Sequence, residues 1–265
     1  MERPRFNSNE RKDNVTSTQL DGMFPWQKQL ILFLIGYVGI HILGTIIMLI
    51  LMRVNVAIGN DKEYNLSILT NVIGYTALFA AMLLVSGTDL KKLFGPFKRY
   101  KSYIAGLICF AVIIAFTVVY GNIINLLKIP VEDNANQQSI DSAAAAYPFV
   151  SVLVFGIFAP VCEELTYRVG LFSLLKRKSS VLAYLVTMFV FALIHFDSSV
   201  LINLVKTNFS SKALAQFANE MLNLPYYLFA GFAFSFTYDK FGFAGSVTAH
   251  ITNNVLSLTV LAAIL

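Results

Sequence analysis

Along the chain, long apolar runs alternate with short polar ones. The clear runs are Trp26 to Met52, Leu66 to Val85, Tyr103 to Leu127, about Pro148 to Leu175, Val181 to about Leu204, Leu224 to Tyr238, and Phe243 to Leu265. A shorter stretch at 214–224 reads as partly embedded, or as one pass more. Because a bilayer core takes about 20 helical residues, the pattern predicts an all-α, polytopic transmembrane helix bundle of about 7–8 spanning helices. Residues 26–265 form that bundle. Residues 1–25 read as a flexible cytoplasmic tail, since "MERPRFNSNERKDNVTSTQLDG" is polar, with four basic and four acidic residues. The first apolar run is too long for the core of a cleavable signal, so it reads as an anchor. The polar stretch "PVEDNANQQSIDS" reads as an extracytoplasmic loop.

Composition agrees with a membrane solvent. Hydrophobic residues make up 57% of the chain and charged ones 13%, against about 25% charged in soluble domains. Mean hydropathy is +0.67. Threading seven passes with the N-terminus inside places 14 basic residues on the cytoplasmic side and 5 on the far side. That bias fits an N-terminus in the cytoplasm of a cell membrane, with the C-terminus outside. The net charge of +5 then follows from the positive-inside rule and attraction to anionic lipid, with no nucleic-acid partner needed. Cys109 and Cys162 both lie in apolar runs without metal or redox spacing, and read as small buried hydrophobes.

Ionisable side chains inside apolar runs are costly and therefore informative. They are His41 in the first run, Glu163, Glu164 and Arg168 in the fourth, His195 in the fifth and His250 in the last. Glu163 stands 13 residues before Lys176, His195 17 after Lys178, His250 10 after Lys240 and Asn254 14 after it. At 1.5 Å per residue these four sit within roughly two helical turns of one another in depth. Glu164 and Arg168 are i and i+4 and can pair. Glu163 points about 100° away from that pair and is free to face a cavity as a general base. Phe191 walls His195 at i, i+4. His250 and Asn254 share a face, from which they could ligate a metal or donate to an oxyanion. Pro160 can kink the helix one turn before Glu163.

Each feature has a plainer explanation. His250 with Asn254 is commonly interhelical hydrogen bonding, Glu164 with Arg168 a structural pair, and His41, with only Thr45 nearby, structural. Their joint occurrence at one depth points to a single polar site. A proton-coupled transporter would also place Glu and His in the membrane, but the two halves show no matched broken helices.

The motifs resemble a known family. "EELTYR" at 163–168 is similar to the EExxxR motif of the CPBP intramembrane proteases, the CAAX prenyl endopeptidases and bacteriocin-processing and immunity proteins also called Abi. "FALIH" at 191–195 resembles its FxxxH motif, and "HITNN" at 250–254 its HxxxN motif. The likeness covers a protease-like core at 147–260, in the family's order. It implies a peptide-bond hydrolase acting on a peptide or membrane-anchored protein substrate, with Glu163 activating water and His195 orienting it. His250 and Asn254 would stabilise the oxyanion, and Glu164 and Arg168 would brace the site. It also allows a zinc ion held by His195 and His250, although a glutamate-activated water without metal uses the same residues. The alternative within the family is a non-catalytic membrane scaffold or regulator. A bacterial leader peptide or membrane-anchored regulator fits as substrate better than a prenylated one.

Overall fold

The computed structural model describes residues 24–54 and 62–264, so the predicted tail, apart from residues 24 and 25, lies outside the described residues. Those residues form nine helices of eight residues or more, with no strand among them. They are α1 (Trp26–Val54), α2 (Lys62–Ser86), α3 (Tyr100–Leu126), α4 (Ala135–Ala146), α5 (Pro148–Lys176), α6 (Ser180–Leu193), α7 (Ser199–Lys206), α8 (Ser211–Phe241) and α9 (Phe243–Ile264). The chain is an all-α bundle and a multi-pass membrane protein. Four stretches are long and apolar enough to cross a bilayer: α1, Leu66–Lys98, α3 and α5. The full count of seven or eight expected from sequence is not reached on those criteria. The apolar α6 is only 14 residues long, and α8 and α9 carry polar side chains through their length.

Three expectations are corrected. The run Val181 to about Leu204 is not one helix. Backbone bonds tighten to i, i+3 after Leu193, with His195 N–H on the Ala192 carbonyl. Asp197 then accepts from the backbone N–H of Ser199 at 2.9 Å and from its hydroxyl at 2.7 Å, a local bond that competes with helix propagation. His195 therefore lies just past the end of α6. The polar stretch read as a loop instead holds α4, whose N-cap Asn134 accepts from Gln137 N–H at 3.0 Å. Finally, residues 214–238 are a single helix. Pro225 sits inside α8 without ending it, and Tyr120 Oη donates to the nearby Leu222 carbonyl at 2.9 Å.

The bundle is built around α5. In its most apolar window half the residues are buried, against 17–22% in the other three candidate spans. Every residue of Leu165–Phe172 is buried. α1 packs on this stretch, α9 on the first half of α5, α6 on α8, and α3 on α9. Small residues set the spacing. A Cβ on Gly36 would lie 1.7 Å from Thr166 Oγ1, and one on Gly170 2.9 Å from Phe33 N. One on Gly106 would lie 2.7 Å from the Gly245 carbonyl. Such close approach is how membrane helices gain contact when lipid offers no hydrophobic drive.

Pro160 does not break α5. The helix widens to π-helical turns on either side, at Val152–Phe158 and Leu165–Phe172. Such turns leave backbone groups for other partners. At one end of the bundle, Lys28 bonds Asp89 at 2.7 Å and Arg177 donates to Gln29 Oε1 and the Phe24 carbonyl. Lys176 pairs with Asp239, which also accepts from Tyr184 Oη.

Candidate active site

The fourth, fifth and last of the predicted apolar runs meet at one cavity. Glu163 from α5, His195 from the turn after α6, and His250 and Asn254 from α9 all line a space of about 290 Å³. Asn253, Tyr75, Asn71 and Gln137 line it as well. A smaller cavity of about 150 Å³ reaches Glu163 and His195 from the other side, past Ile40, His41 and Tyr75. The four side chains that residue spacing puts at a similar depth thus line one cavity, even though His195 is not on a helix.

Behind the cavity wall, Glu164 and Arg168 are fully buried and paired, with Arg168 Nη1 3.1 Å from Glu164 Oε1. The approach is an ion pair rather than a well-aligned hydrogen bond. Arg168 Nη2 donates to the Gly231 carbonyl at 3.3 Å. Its guanidinium lies over Phe191 at 4.5 Å and Phe234 at 5.2 Å from the ring centroids. These rings spread the buried cation's contacts.

Sequence spacing missed a second role for Glu164. The same Oε1 accepts from His250 Nδ1 at 2.9 Å. A carboxylate only accepts, so Nδ1 carries the proton and Nε2 is the nitrogen turned to the cavity. Phe234 stacks on the His250 ring at 4.4 Å and 20°. His250 Nε2 comes within 3.7 Å of Glu163 Oε2. That oxygen is buried and makes no hydrogen bond among the described residues. Two carboxylates therefore flank one imidazole, one behind it and one in front.

His195 follows the same logic. Its Nδ1–H donates to the Phe191 carbonyl at 2.8 Å, which leaves Nε2 as a lone-pair acceptor. Asn254 is fixed from behind, with Nδ2 donating to the Phe155 carbonyl in the first π-helical segment at 3.0 Å. Asn253 Nδ2 donates to Asn254 Oδ1 at 3.3 Å. The second N–H of Asn254 Nδ2 is left for the cavity. His41 is exposed, edge-on to Tyr37, and does not reach the main cavity.

The donor set does not fit a resident zinc. A catalytic zinc takes three protein ligands around an open position, and no three His, Cys, Asp or Glu side chains converge in that way among the described residues. The two imidazoles reach the cavity through one nitrogen each.

Fold and cavity together define a helical membrane protein with an acid–histidine–amide site enclosed by its core. Residues 145–256 match the Rce1-like family, described as type II CAAX prenyl endopeptidase Rce1-like. The matched stretch holds all three motifs, and the matching family is the one those motifs resemble. No curated protein and no solved structure matches the chain significantly.

Proposed function

We propose that the chain is an intramembrane endopeptidase in which Glu163 activates water. The observation that carries this reading is Glu163 Oε2, buried without a hydrogen-bond partner among the described residues, on the wall of a cavity shared with His195, His250 and Asn254. A carboxylate oxygen left unsatisfied by the protein in a buried site is costly and suits a group whose partner is the reacting water.

In this reading the water lies between Glu163 and His195 Nε2. Glu163 takes its proton as the oxygen attacks the scissile carbonyl carbon. The carbonyl oxygen becomes an oxyanion, met by Asn254 Nδ2–H and His250 Nε2–H. Since Nδ1 already donates to Glu164, donation from Nε2 requires His250 doubly protonated. Arg168, Glu164, Glu163 and His250 then sum to zero charge before reaction. On collapse the C–N bond breaks, and the proton held by Glu163 passes to the leaving amine. Glu164 holds the His250 ring and Arg168 holds Glu164, in the manner of an orienting acid.

The substrate class is a peptide or membrane-anchored protein, reached within or at the edge of the bilayer. Lys28, Lys92, Lys176, Arg177 and Lys240 gather at one end of the bundle. This supports that end, which holds the start of α1, as the cytoplasmic one. The test is cleavage of membrane-tethered peptide reporters by purified protein, wild type against Glu163→Gln and His250→Ala. The expected result is cleavage by wild type and loss in both variants at equal folded abundance. If both variants keep the native phenotype while no reporter is cut, the site residues are structural and the chain acts as a scaffold.

A further inference from the structure

We propose that Asn134, Tyr227 and Glu220 are positioning residues for His195, clamping the imidazole in place from outside the turn that carries it. The proposal rests on the endopeptidase reading, in which His195 orients the water.

His195 stands beyond the last turn of α6, where helical hydrogen bonding no longer fixes the backbone. A reacting group there needs other anchors, because a misplacement of about 1 Å can cost about 100-fold in rate. Three segments supply them. Asn134, at the N-cap of α4, donates from Nδ2 to the His195 carbonyl at 2.8 Å. Tyr227, on α8 just past Pro225, stacks its ring on the imidazole at 4.3 Å and 15°. Its hydroxyl donates to Asn134 Oδ1 at 3.2 Å. Two residues on, Asp197 N–H donates to Glu220 Oε2 at 3.1 Å. The other oxygen of Glu220 accepts from Ala135 N–H at 3.2 Å.

One buried carboxylate therefore ties the turn carrying His195 to the start of α4, and both to α8. Asn134 is 2% exposed and Glu220 5%, so these bonds are not exchanged freely with water. Phe191 closes the other side of the ring at 4.9 Å and accepts from Nδ1. The backbone, ring plane and tautomer of His195 are each fixed by a separate contact, and Nε2 keeps one direction, into the cavity.

The chemistry of Asn134 allows a clean test. Asp and Ser cap helices about as well as Asn, so Asn134→Asp and Asn134→Ser retain the bond from Gln137 N–H. Asp offers no donor to the His195 carbonyl, and the shorter Ser hydroxyl cannot span the reach of the amide to His195 while capping Gln137 N–H. The full chain is assayed in lipid vesicles against a tethered peptide reporter, with thermal midpoints measured alongside. Both variants should lower kcat about 10- to 100-fold with KM within about 2-fold, a loss larger than any fall in folded protein accounts for. Tyr227→Phe keeps the stack and should lose only a few-fold, whereas Tyr227→Leu should fall as far as Asn134→Asp. A second readout is the ring-nitrogen NMR signal of labelled His195. It should show one protonated Nδ1 in wild type and a mixture of tautomers in Asn134→Asp.

Wild-type kcat in both Asn134→Asp and Tyr227→Leu overturns the proposal. So does a loss of activity that only tracks loss of folded protein. If wild type cuts no reporter, the endopeptidase reading fails by itself. The NMR signal then decides the clamp, which an unchanged tautomer in Asn134→Asp would overturn.

Discussion

Replacing Glu164 by Gln would leave the Arg168 guanidinium fully buried without its counter-charge. Both side chains of the pair are 0% exposed, so water cannot take over. Breaking a buried pair from one side costs about 3–5 kcal/mol, whereas replacing both partners with apolar groups of similar volume is often neutral. At about 2–4 °C per kcal/mol for a chain of roughly this length, the lower bound corresponds to a fall of about 6–12 °C in thermal midpoint. Arg168→Met should cost less, because His250 Nδ1 still donates to Glu164 and the new side chain can pack on Phe191 and Phe234. The double variant Glu164→Gln with Arg168→Met should be more stable than the sum of the two losses by at least about 1 kcal/mol. Thermal unfolding of the purified protein in detergent, read by intrinsic fluorescence, completes the cycle. Activity adds a second axis. The Gln carbonyl can still accept from His250 Nδ1, so the double variant should regain stability while its kcat stays about 10-fold or more below wild type. Strict additivity of the two losses would refute the reasoning, because it would mean that the two groups are not coupled.

Three further outcomes are expected. Gly36→Ala should lower the midpoint by the equivalent of about 1–3 kcal/mol, since its Cβ would meet Thr166 Oγ1 at 1.7 Å. Gly44→Ala on the same helix has nothing within 4 Å of the new atom and should leave the midpoint unchanged; equal effects would show that α1 does not pack as described. Asn254→Ala should lower kcat of reporter cleavage about 100-fold with little change in KM, the usual cost of one oxyanion donor, and a change confined to KM would remove it from that role. Incubation with a strong zinc chelator should leave cleavage intact, and loss of activity restored by added zinc would overturn the reading of the donor set.

The apolar runs and the three motifs were legible because they depend on local order. A bilayer crossing needs a long apolar run in sequence, and residues i and i+4 share a face wherever a helix forms. Glu164 pairing with Arg168 follows from those rules, as does Glu163 turning away from them to the cavity. The common depth of Glu163, His250 and Asn254 follows from counting residues out from basic ends. The family match over 145–256 falls on this same legible part.

What the sequence could not decide is which atoms of different helices meet. The bond from His250 Nδ1 to Glu164 spans 86 positions and depends on how α9 lies against α5, which periodicity does not encode. The clamp on His195 was less legible still. Asn134 looked like one polar residue in a loop, and Tyr227 like part of an apolar run. Glu220, an acid in the short stretch at 214–224, was not among the residues that the pattern singled out. The end of α6 was also misjudged, because Asp197 and Ser199 terminate the helix by side-chain bonds that hydropathy does not register. The sequence by itself determined the solvent, the helices and the chemical groups at one depth, because those are properties of single segments. The tertiary structure decided which nitrogen of each histidine faces the cavity and what holds it there, because hydrogen-bond direction is set only when separate segments pack together.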